Sequence, residues 1–178
     1  MTRSTPVLTT ARLTLRGHRP ADLDACAAMW GDAAVTRFLL DHPATREETW
    51  ARLLRYAGHW ALLDFGYWLV EETATGRLVG DVGFGDYQRA LEPSLDGMPE
   101  VGWVLAAWAH RQGFATEAVG AVMAWSAAAF AGRATTCIID LDNAASLRIA
   151  TRFGYREVAR TSYKGAPVIV FRRAAEPR

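Results

Sequence analysis

The stretch Glu100-Val-Gly-Trp-Val-Leu-Ala-Ala-Trp-Ala-His110-Arg-Gln-Gly-Phe-Ala-Thr-Glu117 holds the residues best placed to do chemistry. It runs from an apolar strand pattern through a Gly-containing turn into a long helical pattern. Backbone N–H groups without intrahelical partners gather at such a helix start, and the positive end of the helix dipole adds to them. Gly113 lets an anion approach the backbone closely, so the turn suits a phosphate. A helix start with no ligand reads the same way locally. A second constellation is Asn143-Ala-Ala-Ser146, followed by Phe153-Gly154-Tyr155. Asn143 is a favourable N-cap and Gly154 a favourable residue just past a helix end, which explains both without a ligand. Ser146 lies on an otherwise apolar helical stripe and needs a hydrogen-bond partner, which a ligand would supply.

Other chemistries are excluded by what the chain lacks. There is no G-x-x-x-x-G-K-[ST] loop, no G-x-S-x-G elbow and no H-E-x-x-H helix. The four histidines, His18, His42, His59 and His110, are scattered without metal-ligand spacing, so no metal is expected. Gly83-Phe-Gly85 lacks the third glycine of a dinucleotide fingerprint and opens a loop.

The elements that must position these residues follow from hydrophobic period and punctuation. Alternation predicts strands over Thr10 to Arg16, Tyr67 to Glu72 and Leu78 to Phe84, the last two forming a hairpin through Thr75-Gly76. Further strands are expected over Glu100 to Leu105 and Thr135 to Asp140, and a closing hairpin pairs Tyr155 to Tyr163 with Val168 to Arg173. Helices are expected from Pro20 to about Gly31, from the capping box Thr45-Arg-Glu-Glu48 to about Gly58, from Gly113 to Ala131, and from Asn143 to Phe153. Asp86 to Pro99 is a long loop, and Glu92 and Asp96 in it are candidates to border a cationic acceptor. The Trp-rich segment Trp60 to Trp68 is read as core packing.

The chain has 178 residues, with 20 Lys plus Arg against 19 Asp plus Glu and a formal charge of +1, so no strong field gathers nucleic acid or an anionic membrane. With 51% hydrophobic and 22% charged residues the composition is that of a folded globular protein, and the length favours one domain over residues 1–178. Met1 to Leu8 has no apolar block and Ala118 to Gly132 is too short to span a bilayer, so a cytoplasmic protein is expected. Cys26 and Cys137 read as small buried hydrophobes.

Glu100-Val-Gly-Trp-Val-Leu, His110-Arg-Gln-Gly-Phe-Ala-Thr-Glu-Ala118, Asn143-x-x-Ser146 and Phe153-Gly154-Tyr155 together resemble the GNAT superfamily of acyl-CoA-dependent N-acetyltransferases. The opening Thr10-Ala-Arg-Leu-Thr-Leu-Arg16 is similar to the start of its ribosomal-protein-alanine N-acetyltransferase-like branch. The resemblance implies an α+β fold, with a central, mostly antiparallel twisted sheet flanked by about four helices. It implies that His110, Arg111, Gln112, Gly113, Phe114 and Ala115 bind the pyrophosphate of acetyl-CoA, with His110 contributing mainly its backbone amide. It also implies that the strand ending at Leu105 splays from its neighbour, leaving backbone groups of Trp103, Val104 and Leu105 for the pantetheine arm, which Asn143 also contacts.

The reaction implied is direct attack of a primary amine on the acetyl thioester, with a protein N-terminus or a small molecule as acceptor. Glu100 is the candidate base, acting directly or through water and attracting the acceptor, and an N–H near Val104 would polarise the thioester carbonyl. The tyrosine that many members place seven residues after the Asn is replaced by Ala150, and Ser146 takes the thiolate hydrogen bond instead. Tyr155 is read as core. A catalytically silent acyl-CoA-binding or regulatory domain is the alternative, with a nucleotide-binding module a third reading, and the sequence leaves monomer and homodimer both open.

Overall fold

Alternation of apolar and polar residues lays down the first half of the sheet. The computed structural model describes residues 5–175. Strands β1 (Leu8–Thr9) and β2 (Leu13–Arg16) form a tight hairpin where a single strand was expected from Thr10. Thr10 breaks it: its N–H donates to the Leu13 carbonyl and its hydroxyl accepts from the Leu13 N–H, closing a turn. A 3₁₀ turn at Pro20–Asp22 leads into helix α1 (Leu23–Trp30), and a one-turn helix, α2 (Ala33–Thr36), follows.

Helix α3 (Arg46–Leu63) starts on the expected box, with the Thr45 hydroxyl accepting from the Glu48 N–H and the Glu48 carboxylate from the Thr45 N–H. It does not fade at Gly58 but runs one and a half turns further, to Asp64 in the left-handed conformation. A mid-helix glycine costs about 1 kcal/mol. Burying His59 and Trp60 beyond it outweighs that cost.

Strands β3 (Tyr67–Glu72), β4 (Leu78–Gly85) and β5 (Glu100–Leu105) continue the sheet as antiparallel neighbours. Helix α4 (Phe114–Ala129) crosses to β6 (Thr135–Asp140), and α5 (Ala144–Arg152) leads into the hairpin of β7 (Arg156–Tyr163) and β8 (Ala166–Arg173). The order is β1-β2-β3-β4-β5-β6-β8-β7, antiparallel except between β5 and β6. Five α-helices flank it among the described residues, four of them two turns or longer.

The two faces of the sheet have different cores. Leu15, Trp68, Val82, Phe84, Val101 and Leu105 pack with Phe114, Ala118, Val119 and Val122 of α4. On the other face Leu69 packs with Cys26, Met29 and Trp30 of α1 and Leu53 of α3, and Val104 lies against them. That second face also buries a carboxyl group: Asp81, fully buried, accepts from Trp30 Nε1 at 2.8 Å and faces His18 Nε2 at 2.8 Å. Cys26 and Cys137 are both free and buried, and Trp60 and Trp68 lie in the core.

Candidate functional site

The centre of the site is a split in the sheet. The register between β5 and β6 pairs only Glu100 with Thr136, and the Thr136 N–H donates to the Pro99 carbonyl at 3.0 Å. Beyond that point β5 continues to Leu105 bonded to β4 alone. Orientation follows from the ladder: the Ala106 N–H bonds the Val79 carbonyl on the β4 side, so by alternation Val104 also turns its backbone groups to β4. Trp103 and Leu105 turn theirs into the split. Of the three residues expected to offer backbone groups, Trp103 and Leu105 thus face the split and Val104 faces β4.

Past Leu105, a 3₁₀ turn at Ala107–Ala109 carries the chain to the start of α4. Arg111 (φ 60°) and Gly113 (φ 80°) are both left-handed, bracketing Gln112, a pattern that turns successive N–H groups toward one side. Buried Phe114 anchors the turn, and Arg111, Gln112 and Gly113 are exposed. A Cβ at Gly113 would find only Arg12 Nη2, at 3.5 Å, so the space above the turn is open to a ligand. Ala115 follows in the first turn of α4, where N–H groups lack intrahelical partners. His110 behaves differently from the expectation. Its N–H donates to the Ala107 carbonyl, so that amide is spent, and its imidazole Nε2 bonds the Leu105 carbonyl at 2.9 Å. The side chain thus closes the carbonyl of Leu105 and leaves its N–H facing the split.

On the α5 side, Asn143 caps its helix by accepting from the Ser146 N–H at 3.1 Å, leaving the amide nitrogen of its side chain for another partner. Ser146 Oγ accepts from Trp103 Nε1 at 3.1 Å, which leaves the hydroxyl proton to be donated elsewhere. Ala150 is fully buried, and the Tyr155 hydroxyl meets Thr135 Oγ1 at 2.7 Å inside the core, as its packing role requires.

Glu100 lies on the opposite face, and its surroundings were not legible in the sequence. It is buried, and Arg89 from the long loop grips both carboxylate oxygens, Nε at 2.7 Å and Nη2 at 2.8 Å. The guanidinium sits between the rings of Tyr87 (4.5 Å) and Tyr163 (4.6 Å). Burial works against the Arg89 charge, but the hydrogen bonds and charge of Glu100 more than offset it and raise its pKa. The Glu100 carboxylate is thus already paired with a cationic side chain of its own chain. Glu92 is exposed, whereas Asp96 lines a shallow cleft with Arg89, Met98 and Glu100.

Behind this pair, Tyr56 stacks on Tyr67 with centroids 4.3 Å apart, and Tyr67 hydrogen-bonds Tyr87. Burial pushes all three phenols up, so they stay protonated. A Cβ at Gly102 would run into Tyr67 Oη, so only glycine lets this phenol pack on the strand two residues from Glu100. His59 Nε2 bonds the Asp86 carbonyl at 3.0 Å, which fixes the proton on that nitrogen. Burial holds its pKa down, and its Nδ1 lone pair has no partner among the described residues.

The geometry therefore provides a split strand edge, a turn of convergent N–H groups at one end of it, a buried carboxylate at the other, and a serine hydroxyl across it. Residues 12–156 match the acetyltransferase (GNAT) domain family, and the chain belongs to that family. The uncharacterized N-acetyltransferase YoaA of Bacillus subtilis (strain 168) is 25% identical over 153 residues, 85% of this chain and 84% of that one. A solved structure described as a GNAT-family acetyltransferase from Bordetella pertussis superposes with a TM-score of 0.83 at 27% identity, covering 95% of this chain and 99% of that one. RimL, a ribosomal L7/L12 α-N-protein acetyltransferase solved in complex with coenzyme A, shares the fold with a TM-score of 0.77 at 19% identity over 96% and 98% of the two chains.

Proposed function

We propose that this chain is a single-domain, cytoplasmic enzyme that moves the acetyl group of acetyl-CoA to a primary amine by direct attack in a ternary complex. The observation that carries the reading is the split between β5 and β6, closed at Glu100 and Thr136 and open toward the turn before α4. Arg111, Gln112, Gly113, Phe114 and Ala115 would hold the pyrophosphate through backbone N–H groups and the dipole of α4. The backbone of Trp103, the N–H of Leu105 and the side-chain nitrogen of Asn143 would hold the pantetheine arm. The acyl donor supplies an activated carbonyl; the protein's own groups handle protons and orientation.

Glu100 and Ser146 stand on opposite faces of the sheet, so the amine arrives from the α1 and α3 side while Ser146 meets the sulfur from the α5 side. Two of the lone-pair sites of Glu100 are taken by Arg89, and the others remain to accept a proton from the ammonium, directly or through water. The C–N bond then forms as the C–S bond breaks, the nitrogen loses its second proton to solvent, and Ser146 donates a hydrogen bond to the departing thiolate. Nearer Glu100, the N–H of Trp103 is also turned into the split and is the strand donor available to the carbonyl oxygen. The acceptor is a small amine or a protein N-terminus, the latter being what the RimL neighbour acetylates.

Calorimetric titration with acetyl-CoA, with ADP as control, tests the donor, and thiol release with amines and N-terminal peptides then tests turnover. No binding at millimolar acetyl-CoA would leave only the fold. The hold of Arg89 on both Glu100 oxygens favours one second reading, a silent acyl-CoA-binding domain, which requires binding with no turnover on any amine.

A further inference from the structure

Two segments that stand 100 residues apart in the sequence meet at one carboxylate. Glu117, in the first turn of α4, accepts from Thr10 Oγ1 at 2.6 Å, from the Arg12 N–H at 2.9 Å, and from Arg12 Nε and Nη2 at 2.7 Å each. Arg12 reaches further: Nη1 donates to the Gln112 carbonyl at 3.0 Å, and the guanidinium lies 4.4 Å over the ring of Phe114. One side chain from the opening hairpin therefore touches Gln112, Phe114 and Glu117 and flanks Gly113. We propose that Arg12 is a positioning residue for the turn that binds the donor's pyrophosphate, a role that rests on reading Arg111 to Ala115 as that turn.

A turn that presents N–H groups to an anion must point its carbonyls elsewhere, and Arg12 holds the Gln112 carbonyl away from the open side by a charge-assisted bond. Glu117 is an anion one helical turn from the site and would repel a pyrophosphate. Arg12 cancels that charge while fixing the carboxylate, and Thr10 supplies the last donor. The opening Thr10-Ala-Arg12 thus has a task in the site although it lies outside the split. A lysine would bring the charge but not the fork that engages Glu117 and Gln112 together.

The test compares acetyl-CoA with S-acetyl-pantetheine, which carries the same thioester and arm without the pyrophosphate. Arg12→Gln is expected to raise the KM for acetyl-CoA and the Kd for CoA about tenfold, the loss of roughly one charge-assisted hydrogen bond. With S-acetyl-pantetheine, kcat/KM is expected to change by less than about twofold, since the affected contacts are absent. Equal losses on the two donors, or none on either, overturn the proposal. Arg12→Lys, which disturbs the fold less, is expected to keep most of the acetyl-CoA defect; a wild-type KM in that variant also overturns it. If the unaltered protein shows no preference for acetyl-CoA over S-acetyl-pantetheine, the reading of the turn itself falls, a failure distinct from that of Arg12.

Discussion

Replacing Arg89 with Met leaves the Glu100 carboxylate buried beneath the long loop without its partner. Breaking a buried pair from one side costs about 3–5 kcal/mol, because the remaining charge keeps its desolvation penalty. The two side chains retain 17% and 10% exposure, which puts this pair at the lower end, about 3 kcal/mol. In a chain of this length 1 kcal/mol moves the melting temperature by about 2–4 °C, so the variant should melt roughly 6–12 °C lower. Met keeps contact with the rings of Tyr87 and Tyr163, so the loss reports the charge more than the packing. Adding Glu100→Gln removes the orphaned charge and should restore more than half of the stability. Calorimetric melting of the wild type, both single variants and the double variant closes the cycle. A drop below about 2 °C for Arg89→Met, or a double variant as unstable as the sum of the singles, would refute the reasoning.

Glu100→Gln should lower kcat by at least about 100-fold and Ser146→Ala by about tenfold, both with acetyl-CoA affinity kept within about twofold. Unchanged turnover in both would remove them from the mechanism. Burial pulls the Glu117 carboxyl up, but Thr10 and Arg12 outweigh it and hold it below the usual range. Its contribution is therefore complete above about pH 4.3, the ordinary carboxylate value, and is lost as pH falls through the lower folded value. Glu117→Gln should be about 1 kcal/mol less stable at pH 7, with a gap to wild type that narrows in acid; a constant gap from pH 7 to 3 contradicts this. Gly83→Ala drives a methyl into the Gly66 carbonyl and the Tyr67 backbone, which cannot swing aside, and should cost about 2–3 kcal/mol in urea unfolding; a loss under about 1 kcal/mol would mean the strands shift apart freely.

What the sequence disclosed were features whose signal is local. The strands Tyr67–Glu72, Glu100–Leu105 and Thr135–Asp140 fall on their predicted residues because period and flanking turns agree. The Thr45 capping box and the Asn143 cap are legible for the same reason. The Thr10 turn and the passage of α3 through Gly58 were hidden, since each is decided by contacts that override propensity. In the site, the turn before α4 and the Asn143-x-x-Ser146 pattern could be located, and their partners could not. Arg89 lies in a loop with no periodicity, and its tie to Glu100 exists only because that loop folds back over β5. Arg12 reads as a polar strand position, and only the packing of the opening hairpin on α4 gives it a role. The His110 bond to Leu105 runs from side chain to backbone, a class of contact that sequence spacing does not announce.

A strand edge closed at one end and open at the other is a gauge of length. From Val101 to Leu105 the open edge of β5 measures about 13 Å at the usual strand rise, and its two ends are fixed by unrelated parts of the fold, Thr136 on β6 and the left-handed residues before α4. Neither end can move without disturbing a sheet or a helix. Under the proposed reading, this span lies along the donor's arm, between its reactive carbon and its anionic end, whatever acyl group the donor carries. Donor selection then resides in the backbone spacing, leaving the exposed side chains of the long loop and of α3 free to differ according to the amine that is to be modified.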